Sequence, residues 1–324
     1  MNIKNYTLGT LEASEQLIND LYIELRKKIN QWASITNQTA QARMGYIGQH
    51  LVSVVTGFPG GKSGARGKDL ILPDNEFGEI KTCYRVDQLG RCNSCDTVIS
   101  PTEETCPNCG SNDIKRNEDS KWLIGIRHEA EFSEILAPKF YFLVLFEFTD
   151  INKPTTIRSS IWRVNPTAPG FSYCMIDYYK NIRSQSTSKA PFNLWPYQLK
   201  FDLMRPYLIY RSFITPDDRV QTEIFPNRDP ERLHNLRPLT EYSRSQNLTR
   251  DKIIQFADSM GASVPASDSK SKLLGEIQAY IDSSGIPPEI IIDKLAEALY
   301  LPDIRRHLDG LPKAVKERSG IYRV

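Results

Sequence analysis

Three side chains in one short stretch have the types and spacing for hydrolytic chemistry. Asp69 precedes Leu70-Ile71-Leu72, and Glu79-Ile80-Lys81 follows Pro73-Asp74-Asn75-Glu76, a run rich in turn formers. With the turn centred on Asp74, Asp69 lies straight across a hairpin from Glu79, their Cβ atoms about 5 Å apart. Glu79 and Lys81 alternate along one strand and so share a face. Two carboxylates and one ammonium then converge among Leu70, Ile71, Leu72 and Ile80. Two acids in a partly apolar site are costly to keep ionised without a cation. A hard divalent ion such as Mg²⁺ suits two carboxylates and a backbone carbonyl, here that of Ile80, leaving positions for water and a phosphate oxygen. Lys81 beside such an ion can orient a water for attack on phosphorus. An isolated Glu-x-Lys is commonplace, and alone it reads as a weak exposed ion pair. The acid across the turn is what gives it meaning.

A second constellation follows at once. Cys92-x-x-Cys95 and Cys106-x-x-Cys109 are separated by ten residues, whereas Cys83 and Cys174 stand alone. Without a secretory signal, two such pairs read as a metal site and not as a disulfide framework. Four thiolates suit tetrahedral Zn²⁺ and leave no open position, so the metal is expected to be structural. Cys106-Pro107-Asn108-Cys109-Gly110 has the turn of a zinc knuckle, its glycine letting amides point at sulfur. A module this small needs its metal to fold. It is either a DNA-gripping appendage or a clip that closes a long loop.

Elements must hold these groups in place. Ile18, Leu21, Leu25 and Ile29 recur at helical spacing, and a second apolar-periodic helix spans Met44 to Val55. The glycine-rich loop Gly57 to Lys68 carries Lys62, Arg66 and Lys68 and no acid; its spacing departs from a P-loop, which excludes nucleotide binding on that motif. Strands are expected over Asp69–Leu72, Phe77–Tyr84, Trp122–Ile126, Phe140–Phe148 and Thr156–Val164. The run Phe140–Phe148 is apolar on both faces except Glu147 and reads as a buried central strand. The strand after it alternates, as one with a wet face would. Residues 190–245 show little periodicity and read as connecting structure, and the chain after Asn247 reads as helical. No histidine spacing suggests a triad or a metal site.

The acid, the glycine-rich approach to it, and Glu79-Ile80-Lys81 resemble the PD-(D/E)xK nuclease family. That resemblance implies an α/β fold: a restriction-endonuclease-like central mixed sheet flanked by helices, with a four-cysteine zinc-ribbon insert and a mainly helical C-terminal region. It further implies Asp69 as first acid, Glu79 as second acid and Lys81 as catalytic lysine. The family's preceding helix often carries another acid on its inward face. Here Gln49 stands there, able to hydrogen-bond a metal-bound water, which puts the need for a second metal in doubt. Lys62, Arg66, Lys68, Arg85 and Arg91 would hold DNA phosphates. The zinc-bearing arrangement is similar to MamI-type restriction enzymes. The implied function is Mg²⁺-dependent, site-specific cleavage of double-stranded DNA by a type II restriction endonuclease. The alternatives are a structure-specific repair or recombination nuclease, or a non-catalytic zinc-ribbon regulator.

Composition agrees with these expectations and narrows them. The chain has 324 residues, 40% hydrophobic and 25% charged, ordinary for a globular protein with a sizeable core. Lys and Arg number 41 against 39 Asp and Glu, so DNA affinity must come from a local patch. No apolar run is long enough to span a bilayer and no signal peptide is read, so a cytoplasmic protein without membrane partners is expected. The expected organisation is 1–85 for the N-terminal helices and first half of the core, 86–118 for the insert, 119–215 for the rest of the core, and 216–324 for a helical DNA-binding or dimerising region. One acid–acid–lysine set per chain, with no internal repeat, implies a homodimer for cutting both strands.

Overall fold

The computed structural model describes residues 6–61, 68–86, 88–117, 120–188, 190–196, 198–224, 237–265, 268–311, 313 and 316. The chain divides into two compact units. The first comprises residues 1–122, 140–163 and 208–231, and the second comprises 123–139, 164–207 and 232–324.

The first unit opens on α1 (Leu11–Ile18), which continues through a π-helical stretch into α2 (Leu25–Thr36). Thr10 caps α1 by accepting from the Ala13 amide, and α2 ends at Asn37 in the left-handed region. α3 (Met44–Thr56) ends at Gly57, also left-handed. Next come β1 (Leu70–Ile71) and β2 (Phe77–Tyr84), then the small strands β3 (Gly90–Cys92), β4 (Val98–Ile99) and β5 (Ile114–Lys115). After β6 (Trp122–Ile124) and α4 (Glu131–Ile135), which belong to the second unit from Leu123 on, the first unit resumes with β7 (Phe140–Phe148) and β8 (Ile157–Val164).

The second unit carries α5 (Pro169–Asp177), β9 (Phe192–Leu194) and α6 (Leu199–Asp202). β10 (Tyr207–Ile214) and β11 (Val220–Ile224) then return to the first unit's sheet. The helices α7 (Arg250–Met260), α8 (Lys270–Ser284) and α9 (Pro288–Leu308) complete the second unit. Within it α5 packs on α9, and α7 packs on both α8 and α9. Gly261 and Gly285, both left-handed, stop α7 and α8.

A six-stranded mixed sheet runs in the order β1-β2-β7-β8-β10-β11. β1 and β2 are antiparallel, β2 and β7 parallel, and β10 and β11 antiparallel. β6 and β9 form a separate two-stranded sheet, and β4-β3-β5 form the sheet of the cysteine insert. β7 is central and buried almost throughout, as its apolar run requires. Ile47, Leu51 and Val55 of α3 pack with Ile80, Phe142, Val144 and Phe146 in the first unit's core.

Two expectations are corrected. β8 has no wet face: Ser159 and Ser160 are fully buried, and polarity is satisfied internally. The Ser159 and Ser212 hydroxyls lie 2.7 Å apart, and Trp162 Nε1 donates to Ser160 Oγ. Nor is 190–245 mere connection, since it supplies two strands of the main sheet. β10 and β11 pair locally as a hairpin, but β10 lies beside β8, a segment distant in sequence, and no local pattern announces that.

Candidate active site

The β1–β2 register pairs Leu70 with Gly78 and Ile71 with Phe77, which sets Asp69 opposite Glu79 as the turn chemistry implies. The turn is tight: Asp74 and Asn75 both have positive φ, at 58° and 60°. Upstream, the Ile71 amide donates to the Pro59 carbonyl and Gly61 to the Asp69 carbonyl, so the loop's start is stitched along β1. That fixes the backbone on which Asp69 sits.

Both oxygens of Asp69 are held. Gln49 Nε2 on α3 donates to Oδ1 at 3.0 Å, and the Ile80 amide donates to Oδ2 at 2.9 Å. Burial pushes the Asp69 carboxyl above the ordinary aspartate range. The Ile80 amide pulls it back, the Glu79 charge raises it and the Lys81 ammonium lowers it. Lys81 Nζ lies 2.5 Å from Glu79 Oε1, with the two side chains 30% and 26% exposed. Asp69, Glu79, Lys81 and Gln49 are thus brought together, and Ile80 joins them through its backbone. Two carboxylates against one ammonium leave a net negative, oxygen-rich patch, a donor set that fits a hard divalent cation.

Gly48 allows this approach of α3 to the sheet. A Cβ there would fall 2.0 Å from the Thr82 hydroxyl. Sequence reasoning also missed Tyr141, which pairs with Glu79 in the parallel β2–β7 register and is buried. Burial and the Glu79 charge raise its phenol, keeping it neutral behind the acid. A tyrosine inside a strand whose other residues, Glu147 apart, are apolar was the available signal.

The expected phosphate-binding cations divide. Lys62 and Arg66 lie outside the described residues. Lys68 is exposed, its Nζ 3.4 Å from the Asn75 carbonyl and 5.0 Å from the Phe77 ring centre. Arg85 is half-buried just past β2, its amide bonded to the Phe146 carbonyl. Arg91 is exposed and paired with Asp96 at 3.0 Å.

The four cysteine sulfurs of the insert all lie within 4.8 Å of one another. Cys92 and Cys109 are 3.6 Å apart and Cys95 and Cys106 are 3.5 Å apart, far beyond a disulfide bond. Those separations approach the ~3.8 Å edge of a tetrahedron built on ~2.3 Å metal–sulfur bonds. The two turns match: Asp96 (φ 58°) and Gly110 (φ 72°) follow the second cysteine of each pair. The Asp96 amide donates to the Cys92 carbonyl and the Gly110 amide to the Cys106 carbonyl. The Thr97 hydroxyl and amide, with the Asn108 amide, draw the Cys95 thiol down to about 5, favouring the thiolate that binds metal. Burial pushes Cys83 and Cys174 up to about 12, which keeps them inert thiols.

A mixed sheet flanked by helices, an acid–acid–lysine cluster on a hairpin and a four-cysteine insert define a restriction-endonuclease-type architecture. The MamI restriction endonuclease family model matches residues 31–239, and the chain belongs to that family. The type II restriction enzyme MamI of Microbacterium ammoniaphilum is 26% identical over 176 residues, 52% of this chain. The chain spans about half the length of that curated relative, 51%. No solved structure matches the chain. Among the described residues, no helix is long and apolar enough to cross a membrane.

Proposed function

We propose that this protein is a Mg²⁺-dependent type II restriction endonuclease that hydrolyses phosphodiesters of double-stranded DNA at a specific sequence in the cytoplasm. The observation that carries the reading is the convergence of Asp69, Glu79 and Lys81 on one hairpin, in a chain of a restriction-enzyme family. Asp69, Glu79 and the Ile80 carbonyl would hold Mg²⁺, whose chemistry when bound is to polarise a phosphoryl oxygen and acidify a water. Gln49 and the Ile80 amide fix the carboxylate plane of Asp69. Lys81, held by Glu79, orients the attacking water and supplies positive charge as the phosphorane builds negative charge. Lys68, Arg85 and Arg91, with Lys62 and Arg66, grip backbone phosphates; Arg91 would exchange its exposed Asp96 partner for one. Zn²⁺ in the four-cysteine set is structural, because four thiolates leave no position for substrate.

One such cluster per chain serves one strand. A two-fold homodimer reading a palindromic site would cut both, with the helices after Asn247 supplying contact. Incubating the chain with long duplex DNA and Mg²⁺, then sequencing fragment ends, tests the reading. Discrete ends at one sequence are expected. Cutting limited to junctions or flaps would instead mark a repair nuclease.

A further inference from the structure

From Leu25 to Lys68 the chain contains no Asp or Glu, yet holds Arg26, Lys27, Lys28, Arg43, Lys62, Arg66 and Lys68, and it ends directly at Asp69. The described part of this stretch includes α2, residues 37–43 and α3. α2 has no buried residue. Trp32 is 65% exposed, Ile35 73% and Tyr46 61%. Trp32 and Ile35 sit one turn apart on α2, side by side. Gln31, Asn37, Gln38, Gln41 and Arg43 are exposed around them. Arg26 and Lys27 are engaged by Asp218 and Glu24, whereas Lys28 and Arg43 have no acidic partner among the described residues.

On α3, Tyr46, Gln49 and His50 share one face, away from the buried Ile47, Leu51 and Val55. Gln49 is the residue that grips Asp69. The acid-free stretch of chain therefore leads from α2 through residues 37–43 to the helix whose Gln49 reaches the candidate active site.

We propose that the exposed half of α2, residues 37–43 and the outward face of α3 form a duplex-DNA-binding surface. Lys28 and Arg43 meet phosphates, Tyr46 and Trp32 lie against sugars, and the Gln and Asn side chains face base edges. The inference rests on the nuclease reading and extends it to substrate contact. Charge selects the occupant. A two-fold copy of this chain would set against itself a face whose charges without a partner among the described residues, Lys28 and Arg43, are both positive, which like-charge repulsion opposes. A polyanion is complementary to it, exposed amides are the side chains that read adenine edges in a duplex groove, and aromatic rings pack against its sugars.

The test measures binding of a fluorescently labelled duplex carrying the cleavage site to the full chain, with Ca²⁺ replacing Mg²⁺, over a salt series. The variants are Lys28→Gln/Arg43→Gln, Tyr46→Ala and Trp32→Ala. Because all four side chains are exposed, thermal unfolding is expected to be unchanged. The double variant should bind at least about tenfold more weakly and lose about two units of salt slope. Each aromatic variant should weaken binding by about fivefold or more. Unchanged affinity and slope, with tight binding and cutting by the wild type, overturns this surface and leaves the nuclease reading standing. A shift in sedimentation without a shift in affinity also overturns it, by assigning the face to self-association. A wild type that neither binds nor cuts any duplex overturns the nuclease reading itself, and this surface with it.

Discussion

The carboxylate of Asp69 accepts the amide hydrogen of Ile80 at 2.9 Å, so the first acid is tied to the backbone of the strand bearing the second acid and the lysine. Its other oxygen is tied to a helix through Gln49. The cluster is therefore fixed by the hairpin register and the α3–β2 approach together, and a shift of either would move Asp69 relative to Glu79.

Asp69→Asn separates charge from shape. Asparagine still offers an oxygen to the Ile80 amide but cannot ionise. Burial raises the native Asp69 carboxyl, so its ionised form costs folding energy at pH 7 and relief comes only as pH falls through the raised value. The variant is expected to melt at the wild-type temperature or above in metal-free buffer. Its Mg²⁺-dependent cleavage should fall by roughly 100- to 1000-fold, the scale of losing one preorganised electrostatic group. Near-wild-type cutting would remove Asp69 from the chemistry.

Gly48→Ala probes the helix–sheet approach. Alanine is the better helix former by about 1 kcal/mol. In this position, however, its methyl would collide with the half-buried Thr82 side chain on β2. The collision should dominate, with a net destabilisation of about 1–3 kcal/mol by denaturant titration. Because Gln49 is the next residue, cleavage should also drop. Gly48→Ala/Thr82→Ser, which removes the crowded Thr82 methyl but leaves the hydroxyl, should recover only part of the loss.

The insert's core consists of Cys92, Ile99 and Cys106, with Ile114 packed against it. So little apolar area cannot offset the ordering of its loops, and metal must supply the difference. Metal analysis should return one zinc per chain. Cys106→Ser should lose that zinc and open amide exchange across residues 90–115, while β7 stays protected. Full retention of protection without metal would contradict the assignment.

The hairpin was legible because its information is local: a turn sequence, two flanking strands and a register fixed by turn length. The cysteine insert was legible for the same reason, its spacing being the chemistry. What escaped was long-range. Tyr207–Ile214 becomes the β8 neighbour only through folding, and Ser159 and Ser212 look surface-bound until each is seen to satisfy the other. Gly48 reads as a weak point in a helix until Thr82 is placed against it. Tyr141 gains meaning only from the parallel register that sets it beside Glu79.

Asp202 in the second unit supplies a prediction independent of the nuclease chemistry. It is 5% exposed, accepts from the Tyr242 hydroxyl at 2.5 Å and lies 3.4 Å from Arg237 Nε. Burial raises its carboxyl to about 6; the Tyr242 hydrogen bond and Arg237 oppose the rise, and Glu241 adds to it. An aspartate in the unfolded chain titrates near ~3.9, so the folded state holds this proton more tightly. The resulting stabilisation is fully present below about pH 4 and is lost as pH rises through about 6, a swing on the order of 3 kcal/mol. Asp202→Asn is neutral at every pH and abolishes the swing. Comparing the two proteins cancels the titration of all other groups. The variant's stability relative to wild type should therefore be higher at pH 7.5 than at pH 4.5, read as a difference of unfolding midpoints. A difference independent of pH would show that Asp202 ionises as readily in the fold as in the open chain.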